Sequence, residues 1–326
     1  MRRIAGIGAL LVVIAVVTAL GSYDAETQRF TFLSAYNLEN LLQRLGLYGV
    51  LSFAAAFVIV TGGIDLSIGA VVCVAGCVLP WLLRDLGWSP LAAVPAVLAG
   101  CALIGAFHGV LVVGLRLQPF VVTLCGLLLY RGAMRGFTGD ETMGFGDSAD
   151  GLRWLATGKL PITAEFGLPV PLLVLAAVAI TTWVVWTRTV WGRHLFALGR
   201  NQEAARLCGV PTARIEASAY VVCSLLAGLG GCLFVLDVNS AQASSFGNFY
   251  ELYAIAGAVL GGVALRGGEG SVPGIVLGVA LLPLLPNTIR LLGDSDRLEF
   301  AVVGGVILLG AVADEGLRRW FGRRRR

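Results

Sequence analysis

The sequence predicts an all-α, polytopic integral membrane protein of about ten transmembrane helices, and three observations carry that prediction. Hydrophobic residues fill 57% of the 326 positions and charged residues only 13%, where a soluble domain carries about 25% charged. Mean hydropathy is +0.84. Seven uncharged runs of 18 or more residues divide the chain. A folded soluble protein keeps its charges outside, and here there are too few to cover a water-facing globule. A soluble enzyme, a disordered chain and a disulfide scaffold are therefore excluded.

The seven runs are 4–23, 45–64, 66–83, 86–115, 166–187, 217–236 and 270–289. Each can cross about 30 Å of hydrocarbon at about 1.5 Å per residue. The first follows Met1-Arg2-Arg3 like a signal peptide. Its core is long for one and opens a series of similar stretches, so it reads as a retained helix. Three shorter runs, 117–130, 252–265 and 300–313, have 14 residues each, about 21 Å. They must borrow flanking residues, tilt, or stop inside the membrane. Pro273, Pro283 and Pro286 are expected to kink the 270–289 span.

No other segment is long enough to fold as a soluble domain, so 1–326 reads as a single transmembrane domain. Two connections are long: 136–168, and the basic 188–215. Alternation from a cytoplasmic N-terminus puts 15 of the 24 Lys and Arg residues inside and 9 outside. The outer set includes Arg44, Arg84, Arg131, Arg135, Arg153 and Lys159. The bias has the sign expected for both termini in the cytoplasm. The basic tail 316–326 then lies beside anionic lipid rather than forming a nucleic-acid patch.

Catalytic signatures are missing. There is no G-x-x-x-x-G-K-[ST], G-x-S-x-G or H-E-x-x-H, so no catalytic residue is assigned and no cofactor is expected on this chain. Six of the seven cysteines lie in apolar runs. Cys73 and Cys77 share a helix face, but a metal site needs three or four ligands, so they read as buried thiols. A proton relay would need several intramembrane acids or histidines, and the spans hold little beyond Asp65 and His108. His108 reads as a satisfied packing histidine. Asp65, the only charge between Leu45 and Leu83, must be capped, paired or wet. Either it N-caps the helix beginning near Leu66, with Gly62 and Gly63 forming the turn, or it lines the permeation route; both can hold. Glu251 fits a helix start, where the dipole favours an acid. Gly261-Gly262 and Gly267-Gly268 fit turns or close helix contacts. The likeness of Gly62 to Ser67 and Gly267 to Ser271 hints at internal duplication.

Within 188–215, Arg200 to Pro211 reads as a short capped helix. Asn201 is a good N-cap. Gln202 and Glu203 meet the positive helix end, Gly209 fits the C′ position and Pro211 stops continuation. Ala204 and Ala205 give it a small face. The helix is either a surface element at the membrane edge or a coupling helix that enters a groove of a cytoplasmic motor.

Motifs bear on that choice. Glu203-Ala204-Ala205-x-x-x-Gly209 resembles the E-A-A-x-x-x-G pattern of permease subunits of ATP-binding-cassette importers. Thr61 to Gly69 resembles the G-G-I-D-L-S-[VI]-G signature of ribose-, xylose- and galactofuranose-type sugar permeases. Gln118 to Leu124, Gly192 to Gly209, Glu251 to Ala256 and Val259 to Gly262 resemble further segments of that family, in order. The resemblance spans roughly 37–315; the 136–168 loop fits no pattern of it. It implies a permease subunit that moves a pentose or hexose across a bacterial inner membrane. Its implied partners are a second permease subunit, a periplasmic sugar-binding protein and an ATPase subunit that alone binds ATP and Mg. It assigns ATPase coupling to Arg200, Asn201, Gln202, Glu203, Ala204, Ala205 and Gly209. It assigns the translocation path or gate to Gly62, Gly63, Asp65, Ser67, Glu251, Gly261 and Gly262. A permease of the same superfamily for a nucleoside or amino acid, and a secondary carrier, stay open as alternatives.

Overall fold

The computed structural model describes residues 2–24, 28–146 and 148–293, and beyond them only positions 301, 304, 305 and 308. The expected span 300–313, the tail 316–326 and the side on which the chain ends lie outside the described residues.

The elements follow the apolar runs. Helix α1 (Arg2–Gly21) leads through the hairpin β1 (Tyr23–Asp24) and β2 (Arg29–Phe30) to α2 (Ala35–Val60). The chain breaks at 61–67, then forms α3 (Ile68–Pro80), whose last turn widens to a π-helix over Trp81–Asp85. Next come α4 (Pro90–Gly109), with a similar π-turn at Val110–Gly114, and α5 (Pro119–Thr138). The 136–168 connection is built from β3 (Thr142–Gly144), α6 (Asp150–Thr157) and β4 (Lys159–Pro161), and it closes with β5 (Gly167–Pro169). After α7 (Val170–Arg188) come α8 (Val190–Arg200), α9 (Gln202–Leu207) and α10 (Thr212–Val238). Strand β6 (Ser240–Gln242), α11 (Tyr250–Leu260) and α12 (Val272–Leu291) complete the described chain. β6 pairs antiparallel with β3, and β4 with β5.

Among the described residues seven spans are long and apolar enough to cross a membrane, where about ten were expected, and Gly6–Gly21 of α1 and α11 are shorter apolar stretches. The sequence reading needs correction at two helices. The run 117–130 grows into the 20-residue α5 by taking in Arg131 and Arg135. Pro119 starts it at a position where a missing N–H costs nothing, and Gly139, with φ +62°, ends it. Arg131 is thus inside a span, not in an outer loop. Similarly, α2 begins ahead of its uncharged run and includes Glu39 and Arg44. Pro273 sits in the first turn of α12 and initiates it, while the helix continues through Pro283 and Pro286.

Contacts sort the helix ends into two layers. The ends of α1 and α12 meet through the Thr18 and Thr288 hydroxyls, 2.7 Å apart. The Asn287 amide donates to Asn37 Oδ1 at 2.6 Å, so the start of α2 lies in that same layer. In the opposite layer the Gly268 N–H donates to Val60 O at 2.9 Å, joining the end of α2 to the α11–α12 turn. Gly199, near the end of α8, presses against that same carbonyl, and a Cβ on Gly267 would stand 2.8 Å from Gly62 N. The two glycine-rich turns that look alike in sequence therefore pack against each other. Segment 188–212 shares this layer, and 139–169 occupies the other.

Small residues let the helices approach, as expected where lipid offers no hydrophobic drive between them. Helices α4 and α10 run antiparallel, with Gly105 against Tyr220 and Val221 and Gly109 against Ala217. Gly257, Gly261, Gly274 and Gly278 interlock α11 with α12. In α2, 78% of the most apolar stretch is buried, but in α5 only 17%, so α2 forms the interior while α5 stands at an uncovered edge. A Cβ on Gly105 would lie 2.7 Å from Val221 Cα. Gly105→Val should therefore destabilise the fold by about 1–3 kcal/mol, seen as a lowered thermal unfolding midpoint of the detergent-solubilised protein.

Candidate coupling surface and translocation face

Helix α9 has the local structure its sequence specifies. Asn201, extended at φ −162° and ψ 103°, accepts the Ala204 amide on its Oδ1 at 2.9 Å. Gly209 takes φ +82°, and its N–H and that of Val210 close the end on Arg206 O and Ala205 O. Ala205 alone turns inward. Asn201 to Ala204 and Arg206 to Gly209 are exposed, Leu207 to 80%. A six-residue helix gains little stability by itself, so its two caps and the Ala205 contact hold it. It stands in the layer that contains the end of α2.

Beside α9 opens a groove of about 770 Å³, walled on the far side by Val112, Val113, Arg116 and Leu117 at the α4–α5 turn, and by Glu216 of α10. Arg116 adopts φ +55°, uncommon for a residue with a Cβ. Sequence reasoning missed this second wall. Its one local signal is a lone arginine between Leu115 and Leu117.

The residues assigned to a path or gate fall in four places. Gly62 and Gly63 belong to the packed turns and Gly261 to the α11–α12 contact, while Gly262, with φ +86°, turns the chain just after α11 with no close neighbour. Asp65 and Ser67 form a buried turn ahead of α3. Asp65 Oδ1 accepts from Ser67 N at 2.8 Å and from Ser67 Oγ at 2.6 Å. The helix begins at Ile68 with Ser67 as the N-cap residue, making no side-chain cap bond. Asp65 thus closes the turn before the helix instead of capping a start near Leu66. The Thr123 hydroxyl, 3.2 Å from Ile64 O and 2.9 Å from Pro119 O, ties the break to α5. Asp65 is 2% exposed. Among the described residues its Oδ2, His108 Nδ1, Tyr220 Oη and Ser224 Oγ are buried without a hydrogen-bond partner. His108 Nε2 pairs with Tyr130 Oη at 2.9 Å, while Nδ1 has no partner among them. Among the described residues no group of three or more His, Cys, Asp or Glu could hold a metal, and Cys73 and Cys77 are buried.

Glu251, in the first turn of α11, is buried against the Gly69 backbone. Between β6 and α11 the chain runs without regular structure past Gly247, which contacts Gly69 and Val72 of α3. Arg131 of α5 reaches this segment, its Nη1 donating to Ala243 O and Phe246 O at 3.1 Å each. No local sequence signal announces that bond, since its partners lie more than a hundred residues away.

On the other layer, Lys159 Nζ meets Glu39 Oε2 at 2.6 Å, and Gly167 N donates to Glu39 Oε1 at 2.6 Å. This clasp holds the β4–β5 hairpin to α2. At the far end of α5 the Arg135 guanidinium beside Asp140 holds that exposed carboxyl below the usual carboxylate range.

A family model described as "Branched-chain amino acid transport system / permease component" matches residues 37–311. The ribose import permease protein RbsC of Escherichia coli strain K12 is 36% identical to the chain over 308 residues, which is 94% of this chain and 91% of that protein. RbsC of Bacillus subtilis strain 168 is 32% identical, over 87% of this chain and 86% of the relative. The xylose transport system permease protein XylH of Escherichia coli strain K12 is 29% identical, over 95% and 92%. No solved structure matches.

The clasp yields a test. Glu39→Gln keeps the shape but removes the charge that both donors share. Limited proteolysis of the 162–166 hairpin tip should speed up about tenfold, as expected for losing a charged hydrogen bond.

Proposed function

The chain belongs to the permease-component family of branched-chain amino acid transport systems, and on that premise we propose that it is the membrane-spanning permease subunit of an ATP-driven importer that brings a pentose or hexose into the cytoplasm. The relatives named for ribose and xylose, similar along nearly their whole length, support a sugar. The observation that carries the reading is α9: a doubly capped helix bearing Glu203-Ala204-Ala205 and Gly209, projecting from one layer with only Ala205 buried. Such a shape suits insertion into a partner's groove.

In this reading the layer holding 188–212 faces the cytoplasm, and an ATPase subunit docks on Arg200 to Gly209. ATP and Mg stay on that partner. A periplasmic binding protein delivers the sugar to the layer holding 139–169, and a second permease subunit covers the exposed side of α5. Lipid of a bacterial inner membrane surrounds the rest. This chain does no bond chemistry. It gives the sugar a way through by rigid-body movement of helices whose ends the ATPase pushes. Asp65 and Ser67, with Glu251, fix the two breaks beside the path, and the glycines Gly62, Gly63, Gly261 and Gly262 let the inner turns move as packed units. The family model's description brings in a second solute, a branched-chain amino acid.

Uptake into vesicles tests the proposal. The chain with its ATPase and binding protein should accumulate ribose, xylose or fructose in an ATP-dependent way. Accumulation by this chain alone, without ATP, would overturn the importer reading, and uptake of leucine in place of every sugar would replace the solute. Glu203→Lys should lower ATPase association by about tenfold or more, measured by co-purification, while membrane insertion is unchanged.

A further inference from the structure

We propose that α5 and the irregular segment 243–249 form a water-filled stretch of the translocation path in which Arg131, Ser245 and Asn248 take the hydroxyl groups of a polyol. The proposal rests on the sugar-importer reading and adds to it a site that the sequence motifs do not mark.

Depth is the first argument. Arg131 lies 12 residues from the start of α5, about 18 Å along its axis, and one turn below the exposed Arg135–Asp140 pair. Its guanidinium is therefore at membrane depth, half-buried. The segment it touches is non-helical at the same depth, because Phe246 packs on Gly76 in the middle of α3. Irregular backbone is tolerated there only when protein buries it or it lines water. Protein buries only part of it: Ala243 and Gly247 are buried, but Ser245, Asn248 and Phe249 are exposed and Ser244 is half-buried. A charged side chain and three neutral polar ones open at this depth do not face hydrocarbon.

Hydrogen-bonding capacity is the second argument. Arg131 places one nitrogen, Nη1, on Ala243 O and Phe246 O. No bond from its Nε or Nη2 is made among the described residues. Asn248 donates to Ser244 O at 3.1 Å, and its own carbonyl oxygen has no donor among them. A guanidinium fork, an amide oxygen and a serine hydroxyl, held on carbonyl-anchored backbone, match the mixed donors and acceptors of a polyol. The start of the broken helix α11 adjoins the set, as at other sites built from discontinuous helices.

The test uses the full importer in right-side-out vesicles, with the exposed Cys125 replaced by serine; Cys208 is kept, because in the importer reading it lies on the cytoplasmic docking helix, out of reach of an impermeant reagent. Ser245→Cys and Asn248→Cys are labelled with a charged, membrane-impermeant thiol reagent. Ile180→Cys on α7, 62% exposed and away from this face, is the lipid-facing control. The first two should react and the third should not; equal inertness of all three would overturn the proposal. Ribose, xylose or fructose, but not leucine, should slow labelling at Asn248→Cys by about threefold or more, as for a site made of a few hydrogen bonds. No slowing by any of the three sugars would overturn the polyol assignment. In uptake, Arg131→Ala and Asn248→Ala should lose about tenfold or more at unchanged membrane level and ATPase association. Wild-type rates in both variants would overturn it. If the unmodified importer moves no sugar, the importer reading fails, and the labelling arm still decides whether this face is wet and binds a polyol.

Discussion

A peptide group that leaves a helix inside hydrocarbon has no water to turn to, and each unpaired N–H or C=O there costs several kcal/mol. Among the described residues this chain breaks its helices in the layer where α2 ends, at 61–67, and deeper, at 243–249, and much of its interior is arranged to satisfy those two breaks. Asp65 takes the Ser67 amide, Thr123 reaches Ile64 O, and the Gly268 amide takes Val60 O. At the second break Arg131 supplies the donors for Ala243 O and Phe246 O, and the Cys73 thiol adds a weak one to Ala243 O at 3.6 Å. The residues proposed above for the path gather at these breaks, where backbone and polar groups are left available between the helices.

The same constraint divides the molecule into a close-packed interior and a looser edge. Helices α2, α3 and α10 meet at glycines and alanines with almost no exposed surface. Helix α5 packs mainly along α3 and carries a broad uncovered apolar side, including Leu128 at 66% and Leu129 at 59% exposure. Such a side suits a second subunit, while its polar margin suits a path.

Legibility in the sequence follows the range of the interactions. The spans are readable because crossing a bilayer needs only length and apolarity, and the caps of α9 because Asn201 and Gly209 act within one turn. The side-chain bond of Asp65 is nearly readable, since Ser67 lies two residues on, yet the helix starts later than the residue types suggest. Arg131 is not readable. Its charge ends an uncharged run and so argues for a loop, and only carbonyls brought in from a distant segment keep it inside α5. His108 likewise looks like an ordinary packed histidine until its single partner, Tyr130, is seen. The depth at which α11 begins is set by Gly247 against Gly69, a contact between two residues with no side chains to advertise it.

The crossing of Val60, Gly62, Gly199, Gly267 and Gly268 contains backbone and almost nothing else. A joint filled with long side chains has slack, because rotamers can change before anything behind them shifts. This joint has none. A displacement applied to α8 would press directly on the end of α2, whose most apolar stretch is largely enclosed. Under the importer reading proposed above, the end where force enters would be the close-packed one and the side along α5 the open one, so that a short stroke at one surface would become a change of width at another.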